Sequence, residues 1–339
     1  SVSNATVSDF IPVSGSNYTA LITPIAEGVV TLNINENVAE DLSINLNTAA
    51  TQVSSTFNGT RPSVQIQNVP ANSSAPFTAT FAFSEPVIDF IPTDITVTNA
   101  TVSTFIIVST SSYTALITPT ANGAVTLDVN ANVAQDIAGN LNTAATQVTS
   151  QYDASRPSVA IQNVPENTKA AFIATFAFDK IVTGFIGSDI SISNGTASNF
   201  ISLGGSLYTA LITPTANGVV TLNVNENVAQ DLSGNLNTAA AQVSTNYDTL
   251  RPSVAIQNVP ENTNGAFTAT IVFSEPVSNF ILNDISVSNA TVSDFIPVSG
   301  SNYTALITPI AEGVVTLNIN ENVAEDLSIN LNTAATQVS

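Results

Sequence analysis

The sequence predicts an all-β protein, a tandem row of antiparallel β-sandwiches, and three observations carry that prediction. The chain repeats every 95 residues without insertion or deletion: Tyr-Thr-Ala-Leu-Ile-Thr-Pro begins at Tyr18, Tyr113, Tyr208 and Tyr303, and Arg-Pro-Ser-Val at Arg61, Arg156 and Arg251. Within each period large apolar residues alternate with small or polar ones, and no apolar stripe at helical spacing occurs. Turn signals recur roughly every 8 to 12 residues, the spacing of a sandwich. A period of this length is one domain, not one turn of a solenoid. The 339 residues therefore divide into residues 1–54, the closing part of an incomplete repeat, and complete repeats at 55–155, 156–250 and 251–339.

The strands follow in order within one period. Val159, Ile161 and Val164 start the unit after Pro157, on an edge that tolerates proline. In the preceding copy Phe77, Ala79, Phe81 and Phe83 alternate with Thr78, Thr80 and Ala82, a half-buried strand of period two. Further strands are predicted at 190–193, 197–203, 208–213, 219–225 and 239–244. Asn122-Gly123 and Asn217-Gly218 sit between two of them, where a tight turn needs positive φ. Glu27-Gly28 and Glu312-Gly313 take that place in the outer copies. Seven short strands per unit give tandem immunoglobulin-like antiparallel β-sandwiches. Neither Cys nor Trp is present, so the likeness to antibody domains is architectural.

Composition closes off several functions. Without Cys, His, Met or Trp there are no disulfides, thiolate or imidazole metal sites, or histidine-based triads. The only enzymatic arrangement left is a carboxylate pair, and no second carboxylate distinguishes one unit from the others. An enzyme is not expected, because duplicated active sites drift apart whereas a spacer keeps every copy. A net charge of −20 with five cations repels nucleic acid and anionic lipid. No apolar run is long enough to insert into a membrane.

Residues 1–54 are identical to residues 286–339 while the copies between them differ. Identity between units three apart predicts duplication in blocks of three within a longer array, of which this chain is an excerpt. Alone, residues 1–54 would expose half a core and unpaired strand edges. Completion by a second copy of the chain is not expected, because residue 339 closes a finished unit and leaves no spare strands.

Taken as a set, Phe83-Ser84-Glu85-Pro86-Val87, Asp94-Ile95, the Tyr-Thr-Ala-Leu-Ile-Thr-Pro strand, Asn-Gly, and Asp136-Ile137-Ala138-Gly139-Asn140 resemble the bacterial Ig-like repeats of large surface adhesins and biofilm-associated proteins. The resemblance runs through every unit. It implies a modular extracellular extender that holds a ligand-binding tip away from the cell surface, often stiffened by calcium between domains. Two departures stand out. Gly139 and Gly234 become Ile44 and Ile329 in the outer copies, where a different turn is expected, because a β-branched residue is costly at a turn glycine. Lys180 reads as a replacement for the proline after Asp179, with Asp179 in the place of Glu85.

Candidate sites cluster near the junctions. Arg61, Arg156 and Arg251 each precede a proline there, and the expected role is to tie successive domains through a carboxylate or carbonyls of the neighbour. The alternative is a solvated charge worth little. Asp153 and Asp248, with Asn58 in the first copy, offer oxygens for Ca²⁺ at the linker; a turn cap or a partner for the nearby Arg accounts for them equally. Asp136, Asn140 and Asn142, matched by Asp231, Asn235 and Asn237, form a second candidate Ca²⁺ set, against which stands a turn held by Asx hydrogen bonds. No cofactor beyond Ca²⁺ is indicated. Asn-x-Ser/Thr sequons such as Asn99-Ala100-Thr101 leave glycosylation open.

The function read from the sequence is a structural extracellular stalk or filament at the cell surface, the extender of a bacterial adhesin or fibre. Its partners are the neighbouring repeats and, in a laterally assembled fibre, identical chains. The alternative is a tandem carbohydrate-binding array, with weak sites multiplied by avidity. An exposed flank of Tyr18, Tyr113, Tyr208 and Tyr303 would favour it.

Overall fold

Period-two sequence becomes strand throughout. A computed structural model describes all residues, 1–339, in two compact units, Ser1–Ser155 and Arg156–Ser339. In the repeat opening at Arg61, one sheet runs in the order Ala100–Ser109, Ser112–Pro119, Phe77–Phe83, Val64–Gln67. The other runs Asn72–Ser73, Val148–Tyr152, Gly123–Val129, Ile95–Thr98. All pairs are antiparallel except Asn72–Ser73 beside Val148–Tyr152. The next repeat has the same two sheets in the same order, with a two-stranded pair, Val182–Thr183 and Gln230–Asp231, added.

Between the sheets the alternating apolar residues meet. Phe81, Ile117, Leu127 and Val129 are fully buried in one repeat, and Phe176, Ile212, Leu222 and Val224 in the next. Each complete repeat also buries a tyrosine whose hydroxyl must find a partner. Tyr113 donates to Val87 O at 3.0 Å, Tyr208 to Val182 O at 3.1 Å and Tyr303 to Val277 O at 3.2 Å.

The last strand of the unit differs from expectation, forming at Val243–Tyr247 instead of 239–244. The residues before it are a connector: Thr238 N donates to Pro157 O and Ala240 N to Val224 O. The alternation starts only at Val243, with Thr245 turned inward. The matching strand of the incomplete repeat, Val53–Phe57, runs past the expected boundary at residue 54.

The outer copies keep the same turn as the inner ones, against expectation. Ile44 and Ile329 have φ of 66° and 67° where Gly139 and Gly234 have 89° and 87°. The reason is the aspartate that begins the turn. Asp41 Oδ1 accepts from Ser43 N and Asn45 N, and Asp326 Oδ1 from Ser328 N and Asn330 N, which fixes the loop whatever stands at its tip. Two β-branched residues are thus held in a left-handed conformation that costs about 1–2 kcal/mol each.

Candidate cation site and the junctions between repeats

The loop that follows the Gly123–Val129 strand is organised by a buried amide. Asn142, fully buried, accepts from Val133 N and Ala134 N and donates to Asn130 O and Thr143 O. Asn237 and Asn332 repeat this network. The arginine before each proline reaches into that loop of its own repeat. Arg61 donates to Leu141 O at 2.7 Å, Asn142 O at 2.7 Å and Asn132 Oδ1 at 2.6 Å. Arg156 and Arg251 make the corresponding bonds and add a 3.4 Å contact to Glu226 and Glu321. Contrary to expectation, these bonds close each sandwich upon itself: a planar fork satisfies two carbonyls that only a local donor can reach.

The tie to the following linker comes from the turn residue before each strand-opening glycine. Glu27 Oε1 accepts from Gly59 N at 2.8 Å and Thr60 Oγ1 at 3.0 Å. Asn122 donates to Asp153 Oδ1 and Ser155 Oγ and accepts from Ala154 N. Asn217 donates to Asp248 Oδ1 and accepts from Thr249 N and Oγ1. Glycine supplies the positive φ of the turn, 115° to 130° at Gly28, Gly123, Gly218 and Gly313. The preceding Asn or Glu therefore serves the linker, and the interchange of the two residue types in sequence was the signal for it.

In the first and third complete repeats the two Ca²⁺ candidates are one place, because the linker residue and the loop aspartate converge. In the first complete repeat Asn58 Nδ2 lies 3.0 Å from Glu85 Oε2 and 2.9 Å from Asp136 Oδ2, donating to both. Its Oδ1 accepts from Thr60 N, which fixes that orientation. Asp136 is buried and also takes the Asn140 amide. The Asn140 side chain, then its backbone N–H with those of Ala138 and Gly139, hold the Asp136 carboxyl below its ordinary value despite burial.

In the third repeat the same three positions are Asp248, Glu275 and Asp326, each of which places one carboxylate oxygen within 4.8 Å of those of the other two. Nothing cationic is built in. Burial first, then the charges of Asp326 and Asp248, push the Glu275 carboxyl above its ordinary value. Asp326 is buried and takes the Asn330 amide at 2.9 Å, and Asn330 also donates to Asp248 O.

In the second repeat Lys180 Nζ stands 3.4 Å from Asp231 Oδ2, and Asn235 Nδ2 donates to the same carboxylate. Asp153 holds the register of Asn58 and Asp248 and accepts from Asn122 and Ser155 N. The expected place of Lys180 is corrected here by one residue. Ser158 N donates to Asp179 as Ser63 N does to Ser84, so Asp179 matches Ser84 and Lys180 matches Glu85. The 95-residue register already held this charge reversal, and Glu275, absent from the expected ligand set, lies at the same position.

Chemically the third cluster fits a hard divalent ion, with one oxygen from each of three carboxylates converging on one place. The first does not, because an amide donor fills the space between its carboxylates. In the complete repeats the tyrosines form no sugar-stacking flank: Tyr113, Tyr208 and Tyr303 are 3%, 6% and 6% exposed.

The chain belongs to the bacterial Ig-like domain family, which matches residues 58–152, 153–247 and 248–339. Among solved structures it is similar to the Escherichia coli adhesin FdeC, with 14% identity over 81% of this chain and 96% of that one and a TM-score of 0.40. It is similar to invasin, a bacterial integrin-binding protein, with 15% identity over 82% and 59% of the two chains and a TM-score of 0.33. The third is InvD of Yersinia pseudotuberculosis, with 15% identity over 83% and 98% and a TM-score of 0.36. These likenesses are too loose to transfer a role. No curated protein matches the chain. No helix is long and apolar enough to cross a membrane.

Proposed function

We propose that the chain is a structural spacer, part of an extracellular stalk or filament that extends a bacterial surface adhesin or fibre, and that it catalyses no reaction. The linker clamps support this reading most directly: Glu27, Asn122 and Asn217, 95 residues apart, each hold the segment that leads out of their own repeat. A binding array needs its sites repeated, whereas what recurs here every 95 residues is a side-chain clamp on the outgoing linker. Ca²⁺ is a stiffening ligand at Asp248, Glu275 and Asp326, where it replaces the repulsion of three carboxylates with a bridge between the linker and the third sandwich.

Single-molecule pulling on the whole chain tests the spacer role. Each repeat is expected to unfold as a separate event, whose released length is roughly 310 to 340 Å of extended chain, from about 3.3–3.6 Å per residue, less the folded length of the domain. A single event for all three would sink it. Isothermal titration with CaCl₂ tests the ion separately, with one site expected per chain and none after Glu275→Gln.

A further inference from the structure

Of the three linkers, the first alone carries an amide at the position that faces the pocket. Asn58 stands where Asp153 and Asp248 stand in the other two, and it is followed by Gly59 where they are followed by Ala154 and Thr249. In an Asn-Gly pair the side-chain amide is open to attack by the next backbone nitrogen, because glycine has no Cβ to hinder the approach. Such pairs begin at Asn58, Asn122, Asn194, Asn217 and Asn264. At Asn122, Asn194 and Asn217 the glycine is the first residue of a paired strand, which fixes its nitrogen in a sheet. Asn264 stands on an exposed loop, where Gly265 N donates to Thr263 Oγ1.

Around Asn58 the groups that ring closure needs are in place. Thr60 N donates to Asn58 Oδ1 at 2.9 Å, which polarises the carbonyl and favours negative charge on that oxygen. Gly59 N, the attacking atom, donates to Glu27 Oε1 at 2.8 Å, so a carboxylate is placed to take its proton. The departing nitrogen, Asn58 Nδ2, lies 3.0 Å from Glu85 Oε2 and 2.9 Å from Asp136 Oδ2. Positive charge that builds on it as it leaves is met by two carboxylates. The Asn140 amide holds the Asn58 backbone carbonyl at 2.8 Å, which fixes the residue from its other side.

We propose that Asn58 is a site of self-modification, deamidated by attack of Gly59 N on its side-chain carbon with Glu27 as the base. Gly59 N bonds to Cγ and the Cγ–Nδ2 bond breaks. The proton that Gly59 gives to Glu27 passes through water to the departing nitrogen, which leaves as ammonia. A second water opens the resulting succinimide, at Cγ to give aspartate or at the backbone carbonyl to give isoaspartate. The net change is one water consumed, one ammonia released and one negative charge gained. Opening at Cγ leaves a carboxylate where Asp153 and Asp248 already have one, and the first pocket takes on the three-carboxylate composition of Asp248, Glu275 and Asp326.

The test is peptide mapping by mass spectrometry of the whole chain, kept in neutral buffer with chelator and sampled over days. Asn58 is expected to acquire the mass of an amide-to-acid exchange at least about tenfold faster than Asn122, Asn194 and Asn217. Glu27→Gln keeps an acceptor for Gly59 N–H but removes the base. It is expected to slow conversion of Asn58 at least about tenfold while Asn264, the internal reference, converts at an unchanged rate. Gly59→Ala, whose added methyl would lie 3.2 Å from the exposed Phe57 ring, is expected to slow it as well. A rate at Asn58 no higher than at the three strand positions would overturn the inference. So would an Asn58 rate that neither substitution changes. The readout is mass alone and requires neither bound calcium nor the spacer role.

Discussion

The first and third complete repeats build one pocket from the same three positions and balance it in opposite ways. Asn58 donates into the space between Glu85 and Asp136, so the two carboxylates of the first pocket are bridged by its own amide. Asp248 brings a third carboxylate to Glu275 and Asp326, so the last pocket gathers three like charges. One linker residue thus separates a pocket bridged by its own amide from a pocket of three carboxylates. A third solution, the Lys180 ammonium beside Asp231, lies between them in sequence. Near-identical domains thus carry differently charged pockets at one position without changing the fold.

The largest effect should fall equally on both repeats and so test whether they share one frame. Arg61→Ala and Arg251→Ala each remove three hydrogen bonds from a charged donor, of which only the one to the buried Asn142 or Asn332 is shielded from water, and each should cost about 1–3 kcal/mol. The added Glu321 contact, between side chains 41% and 60% exposed, should add little. Urea denaturation followed repeat by repeat through hydrogen exchange would show it, and a much larger loss for Arg251 would break the equivalence.

Exchanging the linker residues should exchange the behaviour. Asn58→Asp removes two donated hydrogen bonds and should cost the first repeat about 1–3 kcal/mol in chelator. Excess Ca²⁺ should restore it, by about 2.7 kcal/mol at a hundredfold excess over Kd. Asp248→Asn should do the converse, stabilising the third repeat in chelator and abolishing its response to Ca²⁺. A third repeat that melts at the same temperature with and without Ca²⁺ would remove the distinction between the joints.

Acidity should separate the two pockets by sign. Glu275 has a raised folded value, so its ionisation favours the unfolded chain. Without cation the third repeat should lose stability as pH rises from the ordinary carboxylate value through the raised one, and regain it on acidification. Asp136 has a lowered folded value. Its contribution to the first repeat is present above the ordinary value and is lost as pH falls through the folded one. Exchange rates of the two repeats in chelator, measured across the carboxylate range, should move in opposite directions; parallel movement would contradict the assignment.

Sequence alone carried the architecture because a period of two leaves a half-buried strand little freedom: Phe77–Phe83 was legible from its alternation. The connector before Val243–Tyr247 was not, since its Ala-rich stretch is held by backbone bonds to Pro157 and Val224, far away in sequence. At the joints the participating residues were legible and their partners were not. Arg61 stands next to a boundary yet bonds residues about 80 positions later in its own repeat. Linker and loop aspartates looked like two sites because only folding brings Asp248 to Asp326. The charge reversal at Lys180 needed strict 95-residue counting, which the neighbouring Asp179 obscured.

The smallest expected effect concerns the turn beside the pocket. Gly139 in the first repeat and Ile329 in the third hold the same left-handed conformation, φ 89° and 67°. A Cβ at Gly139 would meet no atom within 4 Å, so the difference between them is conformational. The left-handed penalty of about 1–2 kcal/mol for an L side chain is offset by the roughly 0.5–1 kcal/mol of extra chain entropy that glycine loses on folding. Ile329→Gly should therefore stabilise the third repeat by up to about 1 kcal/mol, and Gly139→Ala should destabilise the first by a similar amount. Thermal melts of the two variants in chelator would decide it. A loss on Ile329→Gly would mean that the isoleucine side chain contributes packing, the opposite of what its 59% exposure implies.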